Sequence, residues 1–233
     1  MTEAIKDYRA ADDLLAGRNL AVTGAGDGIG RAAAQCFAAH GATVILIGRT
    51  QEKLEAVYDA IEAAGHPQPA IFQVDFANAS AAHYSDLADA IGGELGMLHG
   101  LLHNASLLGE RKPLAQADMD TWREVLEVNV TSQLMLTQAL LPLLEAAPSA
   151  SIVFTSSGVG RRGRAYWGAY AVSKFATEGL MQTLADELEN TSNIRVNSLN
   201  PGATRTAMRA AAYPAEDPAT LPTAEAIMPA YLY

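Results

Sequence analysis

The sequence predicts one doubly wound α/β domain over residues 1–233, with a parallel sheet held between two layers of helices. Its length suffices for a single domain of this kind with a sizeable core, and is short for two. Short apolar runs such as 43–47 alternate with segments of helical length, which is typical of strand–helix–strand units. A glycine-rich turn joins the first strand to the first helix, and such turns are common where a nucleotide binds.

The individual elements follow from periodicity. Strands are expected where short runs of apolar and β-branched residues occur, at 20–23, 43–47, 70–74, 98–102, 151–155 and 194–199. Helices are expected where alanine is abundant or apolar residues recur on one helical face, at 31–40, 51–64, 80–95, 118–144 and from about 166 to 190. The strand order expected of this doubly wound fold is 3-2-1-4-5-6, and right-handed crossovers place a ligand at the carboxyl ends of the strands.

Composition narrows the range of partners. The formal net charge of −10 argues against nucleic acid, whose phosphates require a basic surface. The single cysteine, Cys36, excludes an internal disulfide framework and is typical of a reducing compartment. No leader pattern is present and no apolar run approaches ~18 residues, so we expect a cytoplasmic protein without a membrane partner. The five histidines lack ligand spacing, so no metal site is expected.

The turn at 23–30, TGAGDGIG, is the first candidate binding site. Glycine lets the backbone turn tightly and approach a ligand closely, and the helix that follows offers free N–H groups and a positive dipole end to a pyrophosphate. The alternative is a tight turn with no ligand. The candidate cofactor-binding residues are Gly24, Gly26, Asp27, Gly28, Ile29 and Gly30.

A second candidate site lies between residues 157 and 174. Tyr170 and Lys174 are four residues apart and so share one face of a helix. An ammonium at that distance should lower the pKa of the phenol and make it a usable general acid or base. Ser157 could hold the oxygen of a substrate hydroxyl or carbonyl. By itself a Tyr-x-x-x-Lys pair is usually a solvated face, so the interpretation depends on the nucleotide site.

Together, T-G-x-x-x-G-x-G and Ser…Tyr-x-x-x-Lys resemble the motifs of the short-chain dehydrogenase/reductase family, which has a Rossmann fold. The runs DGIGR and SKFATEG are especially similar to the YciK-type bacterial oxidoreductases. The resemblance implies hydride transfer between a nicotinamide cofactor and a small carbonyl or alcohol substrate, with Tyr170 exchanging the proton. It also implies that Lys174 binds the cofactor ribose and that Asn129 interrupts a helix and holds a water in a proton relay.

The resemblance adds further cofactor contacts. It assigns Asp75, with Phe76, to the adenine, Asn104 and Ala105 to the sheet beside the ribose, and Pro201, Gly202, Thr204 and Thr206 to the nicotinamide amide. Asp75 could equally cap the turn that follows it. Ser106 stands where the family has glycine, and we expect only a modest backbone adjustment there. The family pattern Ser-x-x-Gly selects Ser157 over Ser156.

The end of the second strand bears on cofactor choice. A carboxylate that would hold the ribose 2′-hydroxyl of NAD is expected there, yet Gly48 and Arg49 occupy the place. A guanidinium suits a 2′-phosphate, so NADP(H) is favoured and NAD(H) remains possible. Asp27 argues the other way unless Arg31 or Arg49 neutralises it. Arg49 could also be an ordinary surface charge at a helix start.

Three expectations concern the periphery. The segment 207–223, which resembles the family's substrate lid, is expected to be mobile and disordered. The run 161–164, RRGR, could face an anionic substrate, a solvated loop or another subunit. Family members continue through one more edge strand, and this final strand is expected to be missing here. The sixth strand is therefore expected to be an exposed edge of the sheet.

Assembly and function each keep an alternative open. The resemblance implies a homodimer or homotetramer built on helices 118–144 and 168–190. The other class of function is a non-catalytic cofactor-binding regulatory or scaffold protein.

Overall fold

The computed structural model describes residues 8–233 and confirms the predicted fold. A six-stranded parallel sheet has the order β3-β2-β1-β4-β5-β6. Its strands are β1 Asn19–Thr23, β2 Thr43–Gly48, β3 Ala70–Gln73, β4 Gly100–His103, β5 Ala150–Thr155 and β6 Ile194–Leu199. Strand order reverses between β1 and β4, which pair side by side, and this switch point is where ligands of such sheets bind.

Helices cover both faces of the sheet. They are α1 Gly28–Ala39, α2 Gln51–Ala63, α3 Ala81–Leu95, α4 Met119–Leu126, α5 Ser132–Glu145, α6 Gly168–Leu188, α7 Ala207–Ala212 and α8 Pro229–Leu232. Within residues 8–233, none of these helices has the length and apolar character needed to cross a membrane.

Side chains alternate between the two faces of the sheet along each strand, and this produces two hydrophobic cores. In β2, Ile45 and Ile47 pack with residues of α3, α5 and α6, whereas Val44 and Leu46 pack with residues of α1 and α2. Successive side chains of a strand point to opposite faces, so a continuous apolar strand serves both layers. The second core also takes in Ile227, just before the C-terminal helix α8.

The single helix predicted at 118–144 is wrong in its middle. The chain forms α4, then a π-helical turn over Glu127–Thr131, and only then α5. Asn129 lies at the centre of this turn and is fully buried. A π turn inserts one residue into the helical hydrogen-bond pattern, which is typical of functional sites and agrees with the interruption that the family resemblance implies.

Two helix starts also differ from the prediction. Helix α1 begins at Gly28 rather than at residue 31, and the Asp27 side chain caps it there by accepting from the Gly28 amide. Helix α6 begins at Gly168 rather than near Tyr166. Tyr166 has φ +70° and Gly168 has φ +33°, so a left-handed turn precedes the helix and directs Trp167 inward, where it is buried.

The segment 207–223, expected to be a mobile lid, contains two short helical elements. It forms α7 and a 3₁₀ turn over Pro218–Thr220. Arg205 holds this turn from outside, since its guanidinium donates to the carbonyl oxygens of Pro218 at 2.8 Å and Leu221 at 3.2 Å. β6 is an edge strand, as expected, and carries exposed Arg195 on that edge.

Two glycines give opposite predictions for stability. A Cβ at Gly93, on the exposed side of α3, meets nothing within 4 Å, whereas one at Gly30 would lie 2.1 Å from the Gly24 carbonyl oxygen. Gly93→Ala should therefore raise the free energy of unfolding by about 0.5–1 kcal/mol, and Gly30→Ala should lower it by about 1–3 kcal/mol. Urea denaturation followed by circular dichroism measures both. Equal effects of the two changes would contradict this account of the turn.

Candidate active site

A cleft of about 450 Å³ follows the carboxyl ends of the strands. Of the predicted site residues, all but Gly30 and Asn129 line it. Gly30 lies directly behind the turn, against the Gly24 carbonyl oxygen. Asn129 lies behind helix α6 and hydrogen-bonds Ser173 on that helix. The two motifs found in the sequence are thus at opposite ends of one continuous cleft.

The glycine turn packs without room for side chains. A Cβ at Gly24 would lie 3.0 Å from the Cα of Ala105, and one at Gly26 would lie 2.9 Å from the Cβ of Lys53. Asp27 caps α1, since its carboxylate accepts from the Gly28 amide at 2.7 Å. The backbone of the turn therefore forms a bare wall of the cleft beside the start of a helix.

Thr23 fixes this turn against the neighbouring strand. Its hydroxyl accepts from the amides of Asn104 at 2.9 Å and Ala105 at 3.0 Å, and donates to the carbonyl oxygen of Leu102 at 3.2 Å. The side chain of Asn104 returns a bond to the Thr23 carbonyl oxygen at 3.3 Å. This hydroxyl aligns the ends of β1 and β4, a role that the sequence analysis missed.

The charge of Asp27 is neutralised, but mainly by a residue that the sequence analysis did not consider. Lys53 on α2 lies 2.7 Å from its carboxylate and, by this hydrogen bond, lowers the pKa of Asp27. Arg31 also lowers this pKa, by a smaller charge effect, as the sequence analysis allowed. Arg49 is exposed at the cleft wall, and Gln73 donates to its carbonyl oxygen at 3.0 Å.

Asp75 both lines the cleft and caps the turn after β3. Its carboxylate accepts from the Ala77 amide at 3.3 Å and from the Asn78 side chain at 2.8 Å. Phe76 is buried against Tyr84, with 6.3 Å between ring centroids. The capping reading of Asp75 is therefore confirmed, and its contact with the adenine stays a prediction.

Lys174 is almost completely buried at the end of β5. Its ammonium donates to the Thr155 carbonyl oxygen at 2.8 Å and lies 5.6 Å from the centre of the Tyr170 ring. Burial lowers the pKa of Lys174 to about 8, and the negative charge of Glu178 offsets part of that effect. The amine is thus charged at neutral pH and faces the same cleft as the phenol.

The expected lowering of the pKa of Tyr170 is not what the geometry gives. Burial raises the pKa of Tyr170, and the hydrogen bond from Ser157 offsets only part of this. The reason is that the phenol is itself only 8% exposed, so losing water disfavours the phenolate more than the nearby groups stabilise it. At neutral pH the phenol therefore holds its proton.

The two adjacent serines face different ways. Ser157 lines the cleft and its hydroxyl oxygen accepts from the Val159 amide at 3.4 Å, whereas the Ser156 hydroxyl donates to the buried carboxylate of Glu178. Ser198 on β6 also donates to Glu178, at 3.0 Å, and Arg161 lies 3.5 Å from it. Sequence reasoning missed Glu178, whose only signal was its place one turn after Lys174.

The run 161–164 does not face the cleft. Arg161, Arg162 and Arg164 are exposed and none lines the cleft. Arg161 turns back to the buried Glu178. The reading of this run as a contact for an anionic substrate is therefore corrected.

Asn129 joins three parts of the structure. Its side-chain amide donates to the Leu107 carbonyl oxygen and to the Ser173 hydroxyl, each at 2.9 Å, and its oxygen accepts from the Leu107 amide at 2.7 Å. Thr177 donates to its backbone carbonyl oxygen at 3.3 Å. The π turn thus holds the loop after β4 against the helix that carries Tyr170.

The segment after β6 closes the cleft near the glycine turn. Thr206 caps α7 by accepting from the Arg209 amide at 3.1 Å, and its methyl group would lie 3.3 Å from a Cβ at Gly28. Before it, Asn200 accepts from the Gly202 amide at 3.1 Å. Pro201, Gly202 and Thr204 line the same wall.

Comparison with known proteins agrees with this geometry. The family described as short chain dehydrogenase matches residues 18–217. The chain belongs to the short-chain dehydrogenase family. It is 52% identical to the uncharacterized oxidoreductase YciK of Escherichia coli K12 over 97% of this chain and 89% of that one. This short-chain dehydrogenase is therefore an oxidoreductase, and its predicted similarity to YciK-type proteins is confirmed.

Solved structures extend the comparison. A short chain dehydrogenase from Pseudomonas syringae superposes with a TM-score of 0.96 at 58% identity, covering 97% of this chain and 92% of that one. A short chain dehydrogenase from Shigella flexneri 2a, complexed with NADP, superposes with a TM-score of 0.93 at 52% identity, covering 95% and 92%.

The bonds of Asn129 predict a stability effect. Asn129→Ala leaves the amide and the carbonyl oxygen of Leu107 without their partner, so the free energy of unfolding should fall by about 2–3 kcal/mol. Asn190→Ala, which removes an exposed asparagine just beyond the end of α6, is the control and should change it by less than about 0.5 kcal/mol. Chemical denaturation compares the two. Equal losses would show that Asn129 does not hold these segments together.

Proposed function

We propose that this short-chain dehydrogenase is an NADP(H)-dependent oxidoreductase that reduces a carbonyl group or oxidises the corresponding alcohol. The observation that carries the proposal is the arrangement of Ser157, Tyr170 and Lys174 at one end of a cleft whose other end is a bare glycine turn. A hydroxyl, a phenol and a charged amine then face the place where a bound nicotinamide would meet its substrate. This arrangement supports catalysis over the non-catalytic alternative.

The residues present fit a dinucleotide. The turn at Gly24 and Gly26 leaves no side chain between backbone and ligand, and α1 begins beside it. The hydroxyl oxygen of Ser106 is buried at the cleft without a hydrogen-bond partner among the described residues, which leaves it free for a ligand. Arg49 and Lys53 supply positive charge at the adenosine end, which supports NADP(H), as does the NADP complex of the Shigella relative.

Each chain residue then has a defined task. NADPH supplies the hydride when it is bound. Tyr170 donates its proton to the carbonyl oxygen, and its raised pKa keeps that proton available near neutral pH. Ser157 positions the same oxygen, while the Lys174 ammonium stabilises the phenolate that is left behind. We assign Asn129 to the relay that returns a proton to this group, since its π turn lies directly behind α6.

The same geometry favours carbonyl reduction at neutral pH over alcohol oxidation. Reduction needs a neutral phenol, whereas oxidation needs a phenolate, which the burial of Tyr170 disfavours. The pKa of Lys174 is about 8, so its ammonium is present below that pH and is lost above it. Reduction should therefore weaken as the pH rises above about 8.

Assembly, location and a mobile lid complete the proposal. Leu134 on α5 and Val172 and Phe175 on α6 are large apolar side chains that remain more than 40% exposed. They support homodimer or homotetramer formation through these long helices. Segment 207–223 is proposed as the lid that opens for substrate. An acidic chain with one cysteine supports a cytoplasmic location.

Removing the phenol tests the reaction directly. Tyr170→Phe should lower kcat for aldehyde reduction by at least about 100-fold, because the proton donor is lost. NADPH binding should stay within about threefold, since the ring remains. Absorbance of NADPH measures turnover over a panel of aldehydes and ketones, and fluorescence titration measures binding. Retention of most activity would refute the proposed role of Tyr170.

Cofactor choice has its own test. Arg49→Ala should weaken NADPH binding by about tenfold or more, because a cation at the adenosine end is lost, and should change NADH binding little, because Lys53 still compensates Asp27. Arg123→Ala, on exposed α4, is the matched control. Calorimetric titration with both nucleotides gives the ratios. Tighter binding of NADH than NADPH by the unchanged protein would overturn the assignment.

A further inference from the structure

The end of the cleft beyond Tyr170 is apolar. Six residues form its walls there: Leu107, Leu108, Val128, Trp167, Met208 and Ala212. Several of them pack around the phenol itself, since Trp167, Tyr170 and Ala212 belong to one hydrophobic cluster. The Trp167 ring lies 5.7 Å from that of Tyr170. A substrate carbon held at the phenol is therefore enclosed by hydrocarbon.

Apart from the buried Lys174, whose ammonium donates to the Thr155 carbonyl oxygen, the one cation among the described residues that lines this end of the cleft is Arg209, and its guanidinium is already paired. Its guanidinium binds Glu216 in a bidentate arrangement, with both N–O distances 2.6 Å. The same group lies 3.8 Å from the centre of the Tyr213 ring. A guanidinium that is paired at two nitrogens and stacked on a ring presents little to a substrate carboxylate.

A second cation lies on the outer side of the same aromatic group. The guanidinium of Arg111 is 4.7 Å from the centre of Trp167 and 5.1 Å from that of Tyr213. Arg111 is exposed and does not line the cleft. Its neighbours Glu110 and Lys112 form their own ion pair at 2.6 Å. The charged side chains near this end of the cleft are thus held in ion pairs, stacked on aromatic rings, or located outside the cleft.

We propose that this end of the cleft selects an uncharged carbonyl compound with an apolar ring or chain, and that Glu216 sets the selection by keeping Arg209 from a substrate carboxylate. The inference rests on the proposed function, whose site it extends. A carboxylate placed among Leu108, Trp167 and Met208 would lose its water without gaining a partner, and such burial is strongly unfavourable. A neutral ring gains the same apolar contacts at no such penalty.

Binding to the protein loaded with NADP⁺ tests the selection without turnover, since the oxidised cofactor cannot reduce an aldehyde. Isothermal titration calorimetry compares benzaldehyde with 4-carboxybenzaldehyde. The neutral compound should bind at least about tenfold more tightly. Glu216→Gln frees the guanidinium, and the preference should then fall at least about fivefold. Glu145→Gln, an exposed glutamate at the end of α5, is the matched control and should leave the preference unchanged.

Three results would overturn the inference. They are tighter binding of the carboxylate compound by the unchanged protein, an unchanged preference in Glu216→Gln, and no binding of either compound. If Glu216→Gln alters the fold, the double change Arg209→Gln with Glu216→Gln decides the matter: it lacks the cation and should keep the preference for benzaldehyde. Tight binding of benzaldehyde without its reduction by NADPH would instead count against the proposed function alone.

Discussion

The active site depends on a buried ammonium. The Lys174 ammonium donates a hydrogen bond to the Thr155 carbonyl oxygen at the end of β5, and this bond offsets part of the free-energy cost of removing the charge from water. Helix α6 packs closely against a second 3₁₀ turn, Gly158–Gly160, at this point. The close approach requires glycine at residue 160, since a Cβ there would lie 2.8 Å from the Lys174 carbonyl oxygen. Tyr170 lies one turn before the amine and Glu178 one turn after it. Strand, turn and helix must therefore form together.

The cleft is electrostatically divided. Its adenosine end carries exposed cations, and a carboxylate there, Asp27, is compensated by Lys53. Its other end offers hydrocarbon and a guanidinium already paired with Glu216. An anionic cofactor and the neutral substrate proposed above would thus each meet a different charge environment within one cleft.

The sequence could predict what short-range patterns encode. Periodicity located the strands, and the two motifs located the glycine turn and the Ser157–Tyr170–Lys174 group, which line one cleft. It could not predict pairings between distant positions, such as Lys53 with Asp27, because nothing local in the sequence marks them. The pKa of Tyr170 also escaped it, since the dominant effect there is burial, which only packing determines. The 3₁₀ turn within segment 207–223 is likewise held by a contact between distant positions, because the Arg205 guanidinium donates to the Pro218 carbonyl oxygen.

That segment is internally braced. Arg205 binds carbonyl oxygens of the 3₁₀ turn, and Arg209 binds Glu216, so most of its polar contacts begin and end within 17 residues of chain (221 − 205 + 1). Its outside connections include the stacking of Arg111 on Tyr213 and the packing of Tyr213 and Ala212 with Trp167. The segment could therefore be exchanged as a unit. Grafting a different segment onto the same sheet, with a matching residue at position 111, would change the substrate that the enzyme accepts while the nucleotide-binding half remained intact.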